Sequence, residues 1–496
     1  MIYNNYTNYL TSAKHYHLIP LLKVIPLPDI TPRQVLAALA RERGVCLLET
    51  AQPAQDNVSI ICARPLLTVR VLQDGVEWQE HTRQEQRREL GNPWDILENI
   101  KKRYPVAPLN LPVPFYCGLL GWWGYEMVAH LEPVGIQPAQ PGGEQGHFIV
   151  PGLVIVFAHA QKQLYIVANT VSRPEARDSY HQGMRWLEEA CGLLTGDLPA
   201  TQMVTGPDRP TLPPAAVICS PQQAQFMQMV QTARQYIEAG EIYQVVLSQQ
   251  QEYSHTAPPL QVYDRLCRMN PSPYMYYLDL GDQIIVGSSP EMLVKVERDT
   301  VTTCPIAGTR PRGGTEPEDE RLAQELLHDP KERAEHLMLV DLGRNDLGRV
   351  ARPGSVQVEK FMELERYSHV IHLVSRLRAQ LLPQTSPLAV LKACFPAGTV
   401  TGAPKVRAMQ IIAELEPLPR GVYAGAIGYW QWAAPENLDT AIAIRTAVFS
   451  QGRVLIRAGA GIVYDSRPDA EYREIQNKLG ALLACLGEGK AIGAGD

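Results

Sequence analysis

Asp329-Pro-Lys-Glu-Arg-Ala-Glu-His336 reads as the opening of a helix, and the rest of the chain is organised around the carboxylates it carries. Asp329 is a good N-cap, Pro330 suits the first helical position, and Glu332 stands where a capping box needs its carboxylate. Glu335 falls three residues later on the same face. Met338, Leu339 and Leu342 surround it on that arc, and a carboxylate within an apolar stripe is unfavourable unless a cation compensates it.

Pro468-Asp-Ala-Glu-Tyr-Arg-Glu474 repeats the pattern. Ile475, Leu479 and Leu482 form the apolar face of the second predicted helix, and Glu471, Glu474 and Lys478 run along its flank. Two helices that each aim carboxylates inward point to a shared hard cation, and Mg2+ suits oxygen ligands while keeping water or substrate oxygens in its shell. An isolated Glu-x-x-Glu is more often an ordinary solvated face. The neighbouring motifs shift that balance.

A chain of 496 residues exceeds a typical single domain. With 45% hydrophobic and 20% charged residues it has the composition of a soluble globular protein with a sizeable core. A net charge of −6 argues against nucleic acid as a partner and requires an anionic substrate to be held by local charge. The nine cysteines are dispersed without a Cys-x-x-Cys pair, which reads as reduced thiols, with Cys394 a packed core thiol. The N-terminus lacks the basic start and apolar core of a signal peptide, and no apolar run is long enough to span a bilayer. These features place the chain in the cytoplasm, away from membranes.

Residues 32–44 read as a helix capped near Thr31 and stopped at Gly44, followed by a strand over 45–50. Strands are expected around 67–72 and 148–157. Gly118-Leu-Leu-Gly-Trp-Trp-Gly-Tyr-Glu126 reads as core. A linker is expected over 192–216, where Gly, Pro, Thr and Asp dominate and periodicity is lost. It separates an N-terminal region, 1–191, from a second domain, 217–490. That domain opens with a helix over 221–240 and a strand over 243–248, after which strands and helices are expected to alternate, ending in a frayed tail from Gly487.

Four further stretches carry chemistry. Pro305-Ile-Ala-Gly-Thr-Arg-Pro-Arg-Gly-Gly314 sets small residues and a hydroxyl beside two arginines, and its glycines let backbone amides approach a ligand. Gly398-Thr-Val-Thr-Gly-Ala-Pro-Lys405 is similar, with Thr399 able to donate and Pro404 opening a helix over 405–415 whose N-terminus favours an anion. Thr440-Ala-Ile-Ala-Ile-Arg445 is a largely apolar strand ending in an arginine that calls for a carboxylate partner. Ala458-Gly-Ala-Gly461 follows a strand without the third glycine of a dinucleotide fingerprint. His369-Val-Ile-His372 could lie on a helix as zinc ligands, but no third soft ligand stands at suitable spacing. His372 as a general base is the better reading, with a satisfied core histidine as its alternative.

Together these phrases resemble one family over residues 222–486. Pro-Ile-Ala-Gly-Thr309, Glu-His-Leu-Met-Leu-Val-Asp341, His-Leu-Val-Ser375, Gly-Thr-Val-Thr-Gly-Ala-Pro-Lys405 and Ala-Gly-Ala-Gly461 are similar to the chorismate-utilising enzymes, and within them to the large subunits (component I) of anthranilate synthases. The resemblance implies an α+β fold: a large αββα sandwich with a regulatory N-terminal region packed against the catalytic core. It further implies a chorismate site in which Glu335 and Glu474 hold Mg2+, with Glu332 and Glu471 in support. Arg445, Tyr423, Lys478 and the amides of Gly459, Ala460 and Gly461 would hold the substrate carboxylates, and Gly308, Thr309 and Thr399 would complete the pocket. Glu291, in Ser288-Ser-Pro-Glu291, resembles the acid that protonates the leaving hydroxyl, and His372 the base or orienting group for loss of enolpyruvate.

Relatives that add water carry a lysine where Gln244 stands, and the aminodeoxychorismate synthase branch carries one where Ala307 stands. Neither lysine is present, so the resemblance favours ammonia addition giving anthranilate and pyruvate over the aminodeoxychorismate alternative. It also implies a separate glutamine amidotransferase subunit (component II) that supplies ammonia, in a heterotetramer of two large and two small subunits. Finally, Leu48, Glu49 and Thr50 together with Pro273, Tyr274 and Met275 resemble the two halves of an inhibitory L-tryptophan site, with Thr50 where the family usually has serine.

Overall fold

Two long antiparallel strands, Val58–Leu72 and Glu144–Ala158, form the seam from which the sheets of this protein spread. In the second, nearly every side chain is buried on both faces, as its unbroken apolar run 148–157 requires. The computed structural model describes residues 2–487 apart from 4, 41, 51–57, 137–142, 173–175, 197–217, 255–256 and 368–369.

One layer runs from the seam through Cys46–Glu49, Tyr274–Asp279, Ile284–Ser289, Thr446–Ser450 and Arg453–Ile462 to Gln244–Ser254. The other runs through Gly118–Trp123, Ala426–Gln431, Asn437–Ile442, Met292–Glu297 and Thr300–Thr303 to Val370–Gln380, which is flanked by Ile306–Pro311 and Gln357–Arg366. Helices Gln223–Glu238, Pro259–Met269 and Pro468–Leu486 lie against the first layer. Glu316–His328, Pro330–Gly348 and Pro387–Cys394 lie against the second. The result is the expected αββα sandwich. The N-terminal region does more than pack on it: Cys46–Glu49 enters one layer beside Tyr274–Asp279, and Gly118–Trp123 enters the other beside Ala426–Gln431.

Several local expectations change. Thr31 and Gln34 form a full capping box, but the helix stops at Leu39, and Gly44 instead makes the turn into the next strand at φ +76°. The helix Ala176–Thr195 runs through Gly192, so the expected linker cannot begin there; residues 197–216 of it, and all of the tail beyond Gly487, lie outside the described residues. From Tyr274 to Pro311 strand follows strand with no alternating helix: Tyr274–Asp279 and Ile284–Ser289 form a hairpin in the first layer, and Met292–Glu297 and Thr300–Thr303 form another in the second. Hydrophobic period alone does not distinguish a hairpin succession from βα units. Ala458–Gly461 lies inside the strand Arg453–Ile462, not after it. His372 is on the strand Val370–Gln380, so no helical His-x-x-His pair exists, and His369 lies outside the described residues.

Candidate active site

The helix Pro330–Gly348 starts as its sequence dictates: Asp329 Oδ1 accepts from the amides of Lys331 (2.9 Å) and Glu332 (3.2 Å). The capping box is not closed, because the Asp329 amide donates to Leu326 O and Glu332 is taken by Arg310 (3.1 Å), which also grips Asp329 (2.8 Å). A guanidinium outcompetes a backbone amide for a carboxylate. Gly308, at φ +68°, passes beside Glu332, and a Cβ there would come within 3.1 Å of its Oε2.

Glu335 is half-buried and accepts from Gln244 Nε2 at 2.8 Å. Gln244 in turn lies against Gly461, where a Cβ would stand 2.7 Å from its Nε2. The helix Pro468–Leu486 brings its own carboxylates alongside. Glu474 pairs with Lys478 (2.7 Å), and Lys478 Nζ caps the Gly459 carbonyl (2.9 Å). Burial and then the negative charge of Glu474 push the Glu471 carboxyl up, while Ser466, Lys331 and Lys478 oppose the shift. Lys331 belongs to the first helix, so the two acidic helix starts face each other.

These oxygen-only donors fit a hard cation in type, and Glu471 is a carboxylate that a cation would stabilise. Among the described residues no three His, Cys, Asp or Glu side chains converge. A bound Mg2+ would therefore take one or two of these carboxylates and complete its shell with water or substrate oxygens.

Deeper in, Glu291 is buried between the layers, and that burial raises its carboxyl to about 8 against the opposing influence of Thr399, the Ile306 amide and Arg445. The Thr399 hydroxyl is buried beside it without a hydrogen bond of regular geometry. Arg445, held at φ +50°, is partly buried, and burial lowers its pKa while the neighbouring Glu291 raises it. It makes no ion pair with any described residue, so none of these supplies the expected carboxylate partner, and Glu291 beside it acts only through its charge. His372 is buried, with Nδ1 at 3.2 Å from Gly308 O and 3.1 Å from Thr309 Oγ1. A carbonyl only accepts, so Nδ1 carries the proton and Nε2 is the basic nitrogen. Burial, with a smaller contribution from Arg445, keeps this imidazole below its ordinary pKa and neutral.

The glycine strand presents its amides selectively. The Val246 amide turns to Thr401 O and the Ser248 amide to Glu416, both away from Arg453–Ile462. The hydrogen-bonded partner of Leu247 is therefore Ala460, whose amide is spent in the ladder, while the Gly459 and Gly461 amides point to the opposite edge. That edge is open beyond Ile456, where pairing with Thr446–Ser450 ends. Tyr423 is buried with its hydroxyl over Gly459, where a Cβ would lie within 2.6 Å of it.

The six residues of the expected tryptophan site come together from distant parts of the chain. Glu49 pairs opposite Met275 and Leu48 opposite Tyr276, and Leu48, Glu49, Thr50, Pro273, Tyr274 and Met275 all line one cavity of about 910 Å³. Glu49 accepts from Tyr263 (2.6 Å) and Tyr274 donates to Asp439 (3.0 Å). Glu291, His372, Arg445 and Tyr423 do not line this cavity. Glu291 and Thr399 border a separate void of about 40 Å³.

Two groups escape the sequence reading. His336 is fully buried, bonds Ser375 Oγ at 2.6 Å, and is driven to about 4 by burial, which makes it a neutral core histidine. Arg420, Arg457 and Glu416 form a buried charge cluster behind Tyr423. An arginine inside the apolar run Val454-Leu-Ile-Arg457-Ala was the available signal.

The chorismate binding enzyme family matches residues 46–484. The chain is 39% identical over 497 residues to anthranilate synthase component 1 of Acetivibrio thermocellus, covering 97% of each chain. It superimposes on the crystal structure of anthranilate synthase component I from Streptococcus pneumoniae with a TM-score of 0.75 at 37% identity, covering 87% of this chain and 93% of that one. The menaquinone-specific isochorismate synthase of Escherichia coli shares the fold, with a TM-score of 0.71, 20% identity and coverage of 97% and 98%. With this match over most of its length, the chain belongs to the chorismate-binding enzymes, in the anthranilate synthase component 1 family.

Proposed function

We propose that this chain converts chorismate and ammonia to anthranilate, pyruvate and water, the first committed step of tryptophan biosynthesis. The observation that carries the reading is Arg445, a partly buried guanidinium that forms no ion pair with a described residue, set beside a carboxyl that stays protonated at neutral pH. Arg445 and the open-edge amides of Gly459 and Gly461 hold substrate carboxylates, with Tyr423 and Lys478 alongside. Glu335 and Glu474, supported by Glu332 and Glu471, would hold Mg2+, which when bound orients the ring carboxylate and withdraws electron density from the ring.

Ammonia adds to the ring carbon as the ring hydroxyl leaves; Glu291, with Thr399 at its side, gives that hydroxyl its proton, so it departs as water. His372 Nε2 then accepts the proton from the aminated carbon as the enolpyruvyl C–O bond breaks, releasing pyruvate and an aromatic ring. Gly308 O and Thr309 fix the tautomer that makes this possible. Gln244 offers no amine to deprotonate water, and Ala307, buried on its strand, offers no nucleophile, so neither hydration nor the aminodeoxychorismate route is served.

A glutamine amidotransferase subunit supplies the ammonia in a heterotetramer, and L-tryptophan inhibits from the large cavity. Among the described residues no helix is long and apolar enough to cross a membrane, in keeping with a cytoplasmic enzyme. Incubating the chain with chorismate, an ammonium salt and Mg2+ should give the fluorescence and mass of anthranilate. Isochorismate or 4-amino-4-deoxychorismate as the main product would overturn the proposal.

A further inference from the structure

The glycine- and aromatic-rich stretch 118–126 reads as core, and it is buried throughout, yet it ends in a carboxylate that is only 3% exposed. A carboxylate in such surroundings needs partners. Both oxygens of Glu126 are used on one turn: Oε1 accepts from the Arg420 amide at 2.6 Å and Oε2 from the Gly421 amide at 3.0 Å. The Tyr125 amide holds the next peptide of the same turn, donating to Gly421 O at 2.9 Å.

That turn presents Tyr423. It lies between the helix ending at Leu415 and the strand starting at Ala426, with Gly421 at φ +62° and Ala424 at φ +63° on either side of the tyrosine. No ladder fixes it. The Tyr423 ring lies against the Arg420 and Arg457 guanidiniums, 5.6 and 5.9 Å from its centre, with its hydroxyl over Gly459. Arg420 also donates to Val400 O and Val246 O, each at 2.7 Å, and Glu416 ties it to Arg457 (2.7 and 2.6 Å). Val400 adjoins Thr399. A shift of this turn therefore reaches Tyr423 and Gly459 together.

We propose that Glu126 is a positioning residue for the substrate pocket: it holds the Arg420–Gly421 turn and thereby places Tyr423 and the arginines that frame it. The N-terminal region thus bears on the geometry of a site whose proposed contacts all come from the second domain. The proposal rests on the reading of Tyr423 as a substrate contact.

Glu126→Gln keeps the shape but can accept from only one of the two amides through its single carbonyl oxygen. The expected result is a chorismate KM raised about tenfold, the weight of one charge-assisted hydrogen bond, with kcat within about twofold, because a contact made equally in ground and transition states moves KM alone. Glu126→Asp, which retains the charge but shortens the reach, should raise KM in the same direction and serves if the glutamine variant does not fold. In a Tyr423→Phe background, either substitution should add little to the KM already raised. Wild-type KM in the Glu126 variants alongside a raised KM in Tyr423→Phe would overturn the positioning role, as would fully additive effects in the double variant. An unchanged KM in Tyr423→Phe alone would instead refute the reading of Tyr423.

Discussion

Replacing Glu291 by glutamine tests the centre of the chemistry. Burial raises this carboxyl from its ordinary 4.5 to about 8, a preference for the neutral form worth roughly 5 kcal/mol. As a general acid it should contribute about 10²- to 10⁴-fold to turnover. Anthranilate fluorescence measured from pH 6 to 9.5 should show wild-type kcat/KM falling about tenfold per pH unit above about 8, as the proton is lost from the free enzyme. Glu291→Gln should be slower by the factor above and lack that limb. Stability follows the same proton. The folded pKa lies above the unfolded one, so the contribution is full below 4.5, is lost progressively as pH rises, and is gone above about 8. The glutamine variant, always neutral, should therefore melt higher relative to wild type at pH 9 than at pH 5. A variant that keeps a third or more of wild-type activity, or retains the alkaline limb unchanged, would show that Glu291 is not the acid.

Glu335→Gln and Glu474→Gln should each abolish turnover at low Mg2+, read by the same fluorescence; wild-type activity under those conditions would remove them as ligands. Glu332→Gln, whose partner Arg310 is about one-fifth exposed, should lower stability by about 1 kcal/mol or less in a denaturant titration. Met275→Thr, which trims a wall of the large cavity opposite Glu49, should raise the tryptophan concentration for half-inhibition, whereas Thr50→Ser should leave it unchanged or lower it; calorimetry showing no tryptophan binding to the parent chain would refute the site. The isolated chain should make anthranilate from ammonium salts and none from glutamine, and a glutamine-dependent rate without a second subunit would contradict this.

The sequence by itself determined what depends on near neighbours. The Asp329 and Thr31 caps, the helix over 405–415 and the strands around 67–72 and 148–157 follow from short-range spacing and periodicity, and the ordered phrases from Pro305 to Gly461 carry the family. Tertiary structure decided everything that depends on residues far apart in the chain. It turned Glu332 from a capping role to Arg310, and it spent the Ala460 amide on Leu247 while leaving those of Gly459 and Gly461 open. It joined residues 48–50 to 273–275 around one cavity, and it set Glu126 beneath the turn that carries Tyr423. Above all, it raised the Glu291 carboxyl well above its ordinary value beside Arg445, a guanidinium with no ion pair among the described residues. A pKa is set by burial and by the charges that surround a group, and neither exists until the two layers close on each other.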